Sequence, residues 1–358
     1  MAEKPFRNFH VGDESRSQTL STALRRFLPD KSWNQVKKLI GGRQVQVNGN
    51  LCLDENRKVK AGDVVKVWDH PLAKPADERD VRIRYVDAHL VVIEKPAGVT
   101  TLRHAEERHW PARRKQLQPT LDELLPLALA RYLGWNTSES TSPTRQAAPR
   151  RGRSSSRRGS HNEADQRGPK LPTVRAVHRL DRDTSGLMVF ARTTAAEHAL
   201  IRLFSKHKIQ RAYVAVVHGQ PRPQTIESYL VRDRGDGLRG SSPQGVSAEG
   251  AQRAITHVEP LKALGEYSIV RCRLETGRTH QIRIHLSEKG HTLCGEKTYT
   301  HPLGGKPAVD KSGAPRQALH AAELGFVHPI TGETLTFRTP VPQDLASWLK
   351  RLRSAKPD

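Results

Sequence analysis

The chain has 358 residues, 35% hydrophobic and only 5% aromatic, with a formal net charge of +23. That length allows one sizeable core and a small accessory domain. The positive excess repels itself in a compact state, so it implies a polyanionic partner, for which nucleic acid fits better than a membrane surface. No basic helix carries a strong apolar face, and no apolar run approaches the roughly 20 residues of a membrane span. Cys52, Cys272 and Cys294 are odd in number and far apart, so they give neither a disulfide framework nor a paired metal motif. The polar start, residues 1–16, lacks the apolar core of a signal peptide. A soluble, cytoplasmic, monomeric protein is expected, with no membrane partner.

Residues 1–16 read as a flexible tail and residues 17–70 as the first folded unit. Leu20, Ala23, Leu24 and Phe27 recur at helical spacing, and Pro29-Asp30 stops that helix. Ser32 with Gln35 forms a capping box for a second helix, whose apolar stripe is Trp33, Val36, Leu39 and Ile40. Lys37, Lys38 and Arg43 lie off that stripe, where they could meet RNA. Alternation at 45–47, a turn at Asn48-Gly49 and an apolar run at 64–67 predict short strands.

A polar link, 71–80, precedes the second domain, expected over 81–350 with 351–358 as a tail. Residues 81–93 read as strand, turn and strand, ending in Lys95-Pro96-Ala97-Gly98. Lys95 is either an RNA contact or a turn residue. Residues 120–132 predict a helix with Leu121, Leu124, Leu125 and Leu129 on one side. Residues 136–172 carry "RRGRSSSRRG" and too few apolar groups to offset ordering entropy, so a disordered basic insertion is expected. It either samples RNA phosphates or is merely solvated.

The most informative stretch follows: His178-Arg179-Leu180-Asp181-Arg182-Asp183-Thr184-Ser185-Gly186. One carboxylate, Asp181, stands between two arginines at a turn that feeds the apolar run 187–191. Flanking guanidiniums favour the charged form of a carboxylate, which suits a nucleophile or base. Beyond it, Thr194 with Glu197 reads as a capping box, 212–217 and 269–274 as strands, Thr279 as the cap of a helix closed by Gly290, and 319–337 as further strands. Strands outnumber helices and connect as hairpins, so the fold class is α+β with a mixed, largely antiparallel sheet. His178, His280, His285 and His291 with Cys294 match no usual zinc spacing, so no metal is assigned.

The nonamer resembles the signature of the RluA-type pseudouridine synthases. The resemblance continues in order through "KPAG", "RAYVAVVHG", "TGRTHQIRIHLSEKGHTLCGEKTY" and "LHAAELGFVHPITGE". The pattern departs at Thr100-Thr101-Leu102-Arg103-His104, at Arg211 (a lysine in the family) and at Glu296 (commonly aspartate). Residues 17–70, with "VQVNG" and "KAGDVV", resemble the S-four-type RNA-binding domain. The family resemblance implies an isomerase that turns uridine into pseudouridine in structured RNA, without a cofactor. Large-subunit ribosomal RNA is the leading target and transfer RNA the alternative. It implies Asp181 as the catalytic carboxylate, acting as nucleophile at the sugar or as base on it, and Arg278 as its ion-pair partner. Tyr213 would stack on the uracil and move the proton at ring carbon five, Ile282 would pack its other side, and Arg179 would fill the gap left in the RNA stack. The competing reading is a non-catalytic RNA-binding protein of ribosome assembly on the same scaffold.

Overall fold

The chain divides into two compact units, Met1–Asp77 with His104–Pro119 and Glu78–Arg103 with Thr120–Asp358. The computed structural model describes residues 6–12, 18–48, 50–72, 74–103, 105–135, 171–307 and 309–354. Of the basic insertion expected over 136–172, residues 136–170 lie outside the described residues, as do Gly49 and residues 355–358.

In the first unit the helices Leu20–Phe27 and Trp33–Gly41 cover a sheet ordered Phe6–His10, Val64–Trp68, Val45–Val47, Asn50–Leu51. Leu20, Leu24, Val36, Ile40, Val45, Val47, Val65 and Val67 form its core. The Ser32–Gln35 capping box forms as expected, with the Gln35 amide donating to Ser32 Oγ at 3.2 Å. Trp33 departs from the predicted stripe and is 51% exposed, lying beside the Arg25 guanidinium instead. A second correction concerns the start of the chain. Phe6–His10, which the sequence places in a flexible tail, is an edge strand paired with Val64–Trp68. Two aromatics anchor it, Phe9 stacking on Phe27 and Phe6 packing on Trp68, both with centroids 4.9 Å apart.

The second unit is built on an eleven-stranded, largely antiparallel sheet. Its order is Gly240–Ser241, Gln224–Val231, Gln252–Leu264, Tyr267–Leu274, Gln210–His218, Leu319–Val327, Ser185–Ala191, Leu90–Lys95, Arg82–Val86. Thr334–Arg338 and Arg175–Ala176 pair beside it. The α+β class expected from the sequence is therefore the observed one. Ser185–Ala191 is buried at every residue, as its unbroken apolar run requires, and runs parallel to Leu319–Val327. The two backbones approach so closely that a Cβ at Gly186, where φ is +121°, would stand 2.2 Å from the Ala321 carbonyl oxygen. Only glycine fits there.

Two predicted caps shift by one residue. Thr193, not Thr194, caps the helix Thr194–Ser205, and His280, not Thr279, is the N-cap of Gln281–Glu288. At the C-terminus the helix Gln343–Ser354 buries Leu345, Trp348 and Leu349 against Val216, Cys294 and Ala318. Ordered structure thus runs past the boundary at 350 that the sequence suggested.

Two buried histidines make this core acid-sensitive. His285 sits between Ser228 Oγ (3.0 Å) and Thr256 Oγ1 (2.9 Å), and His320 contacts Ser185 Oγ at 3.0 Å. Burial pushes each down to about 4 from the usual 6.5. The unfolded chain therefore takes up protons that the folded one refuses. Stability should be full above about pH 6.5 and fall between there and pH 4, by up to about 1.4 kcal/mol per pH unit for each histidine. Urea unfolding at pH 7 and pH 5 measures it.

Candidate active site

Asp181 stands in the turn that enters Ser185–Ala191, and the sheet fixes that turn from both sides. Lys95 Nζ donates to the carbonyls of Arg182 (2.9 Å) and Pro96 (2.8 Å), the Gly98 amide donates to Arg182 O at 2.8 Å, and Arg182 Nε returns a bond to Gly98 O. Thr101 Oγ1 donates to Leu180 O and accepts from Leu180 N. From the loop that precedes Leu319–Val327, Arg316 reaches Asp183 O and Ser185 Oγ at 2.9 Å each, and Gln317 Nε2 reaches Thr184 Oγ1 at 2.7 Å. Lys95 is only 1% exposed, so of its two readings the turn residue holds and the RNA contact does not. Desolvation pushes its ammonium down to about 7.

The charge partner of Asp181 is Arg283, whose Nη1 donates to Oδ2 at 3.2 Å. This corrects the role given to Arg278. The Arg278 Nε donates to the Arg253 carbonyl at 3.0 Å, and its side chain lines the cavity wall. His280 takes a left-handed conformation (φ 60°) between them, which turns the chain so that the first turn of the following helix, carrying Arg283, meets the carboxylate. The two arginines adjacent in sequence do not clamp it either: Arg179 is exposed and Arg182 is spent on Gly98.

Arg283 is itself held by Glu296, which accepts from Nε and Nη2 at 2.7 Å each. Burial raises the Glu296 carboxyl, but the paired guanidinium outweighs it and the net shift is downward. Burial likewise opposes the Arg283 charge, yet Glu296 and then Asp181 raise its pKa overall. Glu296 also accepts the amides of Lys297 and Thr298, at 3.0 and 2.8 Å. Glu296, where the resemblance leads one to expect aspartate, is a carboxylate that anchors this arginine in two parallel bonds.

A cavity of about 480 Å³ opens beside Asp181, within the range of pockets that hold ligands. Arg179, Tyr213, Arg278, His280, Ile282 and Arg283 all line it. Tyr213 projects from Gln210–His218 at a register shift against Leu319–Val327, and such a bulge re-aims a side chain. It is 8% exposed, and burial first, then the Asp181 charge, raise its phenol, so it is a hydroxyl rather than a phenolate at neutral pH. Ile282 is 4% exposed. The histidines weighed as zinc ligands each have another partner: His178 accepts from the Val189 amide, His291 contacts the His218 carbonyl, and His280 contacts Tyr299. In the first unit Lys37 and Lys38 are exposed on Trp33–Gly41, Lys37 pairing with Glu55 at 3.5 Å, and Arg43 follows at φ 63°.

Asp181, paired with an arginine that Glu296 holds in two bonds, thus lines a cavity together with a buried tyrosine hydroxyl. Comparison with known proteins gives the class. Residues 89–288 match the family model of RNA pseudouridylate synthase, and residues 18–65 match the S4 domain. The chain belongs to the RNA pseudouridylate synthase family and is an isomerase. It is 32% identical to "Ribosomal large subunit pseudouridine synthase D" of Zymomonas mobilis, over 97% of this chain and 98% of that protein. With the protein of the same name from Neisseria meningitidis serogroup B it shares 32% identity, over 93% of this chain and 78% of that protein. The solved structure "Human RNA Pseudouridylate Synthase Domain Containing 4" has the same fold, with a TM-score of 0.52 and 20% identity over 76% of this chain and 93% of that one.

Because Arg283 is the ion-pair partner of two carboxylates, one of them almost fully buried, its loss leaves uncompensated charge. Arg283→Met should cost about 3–5 kcal/mol of stability as well as activity. Arg278→Met should stay within about 0.5 kcal/mol of the parent. Urea denaturation of both variants checks the assignment.

Proposed function

We propose that the enzyme isomerises uridines of large-subunit ribosomal RNA, with Asp181 as its catalytic carboxylate. The observation that carries this is the Asp181–Arg283–Glu296 chain at the mouth of a cavity walled by Tyr213 and Ile282. The ribosomal target rests on the names of the relatives, and transfer RNA is the alternative. The reaction exchanges a bond from the sugar to ring nitrogen one for a bond to ring carbon five. A proton leaves carbon five, one arrives at nitrogen one, and the product is an isomer of the substrate. No oxidant or group donor is consumed.

Asp181 assists the departure of the base from the sugar, as carboxylates do in glycoside hydrolysis. Arg283 fixes it and balances its charge. Tyr213 and Ile282 hold the base between them while it turns, and the Tyr213 hydroxyl is the group proposed to move the carbon-five proton. The target nucleotide has to leave its stack, which costs a few kcal/mol, and Arg179, exposed at the rim, is a planar cation suited to fill the gap. Arg278 faces the same cavity as a substrate contact. Lys37, Lys38 and Arg43 of the S4 domain are proposed as phosphate contacts. Three free, buried cysteines suit a cytoplasmic enzyme.

Asp181→Asn should abolish tritium release from carbon-five-labelled uridine RNA while RNA binding persists; normal turnover by that variant would end the catalytic assignment. The same variant separates this reading from a non-catalytic assembly role, in which no pseudouridine disappears from the RNA when the gene is deleted. Replacing Lys37, Lys38 and Arg43 together by glutamine should weaken RNA binding and flatten the salt dependence by about two to three in log–log slope, leaving the chemical step unchanged. An unaltered slope would remove these residues from RNA contact.

A further inference from the structure

The second oxygen of Asp181 faces a group that the reaction scheme leaves unused. While Oδ2 meets Arg283, Oδ1 lies 3.7 Å from His280 Nε2. The other ring nitrogen, Nδ1, is 2.7 Å from the Tyr299 hydroxyl. Tyr299 is held in turn: it is 2% exposed, its amide donates to Glu296 Oε1 at 3.3 Å, and the Arg283 guanidinium lies 5.0 Å from its ring centroid. His280 adopts its left-handed backbone at a residue that is not glycine, a conformation of order 1 kcal/mol or more that the surroundings impose. That conformation aims the ring at the carboxylate.

We propose that Tyr299 and His280 are a positioning pair: the tyrosine hydroxyl donates to Nδ1, fixing the imidazole so that Nε2–H faces Asp181 Oδ1. The inference rests on the reading of Asp181 as the catalytic carboxylate. Burial disfavours the charged ring more than Asp181 favours it, so at neutral pH the imidazole has one N–H and one lone pair. A lone pair turned toward a carboxylate would repel it. The N–H therefore sits on Nε2, and Nδ1 must accept. At 3.7 Å the contact is electrostatic, and it shortens to a hydrogen bond with little movement when substrate closes the site. With Arg283 on one oxygen and His280 on the other, the carboxylate cannot rotate about its own axis, and its reacting lone pair keeps one direction.

The pair also gives the enzyme an acid limit. Protonating His280 would place a full cation beside Asp181 and reduce its power as nucleophile or base. The groups facing the ring are Asp181 and Arg179 from the turn, Arg283 from the helix, and Glu296 and Tyr299 from the following loop, with Arg239 near Tyr299. Removing the Tyr299 hydroxyl withdraws a bond that only the neutral ring can accept at Nδ1, so the limit moves to higher pH.

Long-range proton–nitrogen NMR of the wild-type enzyme should show the Nε2–H tautomer at His280; the Nδ1–H tautomer overturns the proposal. In Tyr299→Phe the single-turnover rate at saturating RNA should fall about tenfold with RNA affinity unchanged, and the acid limb should shift upward. His280→Gln keeps an N–H near Nε2 and should retain more of the rate than His280→Ala, while losing that acid limb. Wild-type rates in both Tyr299→Phe and His280→Ala, or equal losses of rate and affinity, overturn it. The tautomer is read without reference to catalysis, so turnover by Asp181→Asn would sink the catalytic reading separately.

Discussion

One guanidinium organises this active site. Arg283 is gripped by Glu296 in two parallel bonds and extends Nη1 to Asp181 Oδ2. A buried charge of this kind is tolerated only when every partner is in place. The requirement couples three segments far apart in the chain: the turn at 178–184, the helix Gln281–Glu288 and the loop after Cys294. Whatever disturbs one of them misplaces the carboxylate.

The turn carrying Asp181 shows the same economy. Its backbone carbonyls are collected by basic side chains that have no direct part in the chemistry, Lys95 on one side and Arg316 on the other. Both are buried, and both satisfy main-chain groups that a sharp turn leaves without helix or sheet partners. The close approach of Gly186 to Ala321 then locks the turn onto the parallel strand. A rigid turn over a fully buried strand lets a single carboxylate be aimed at a cavity.

Much of this was legible in the chain. The turn at the nonamer, the buried run after it, the helix at 121–132 and the Ser32–Gln35 cap follow from local pattern and stand as expected. The edge strand Phe6–His10 did not, because its two aromatics have meaning only against Phe27 and Trp68, which are distant in sequence. Lys95 was undecidable for a similar reason. Nothing local says whether a lysine at a turn points to solvent or to the carbonyls of a loop 87 residues later.

The sequence by itself determined the fold class and, through its ordered motifs, the family, since periodicity, turn chemistry and motif order are properties of neighbouring residues. The tertiary structure alone decided which arginine serves Asp181. Arg278 and Arg283 lie in one motif and carry the same charge, and no pattern of spacing separates them. A left-handed residue at His280 sends Arg278 to the Arg253 carbonyl and Arg283 to the carboxylate. Pairing of charges depends on distance and burial in three dimensions, and only the folded chain sets those.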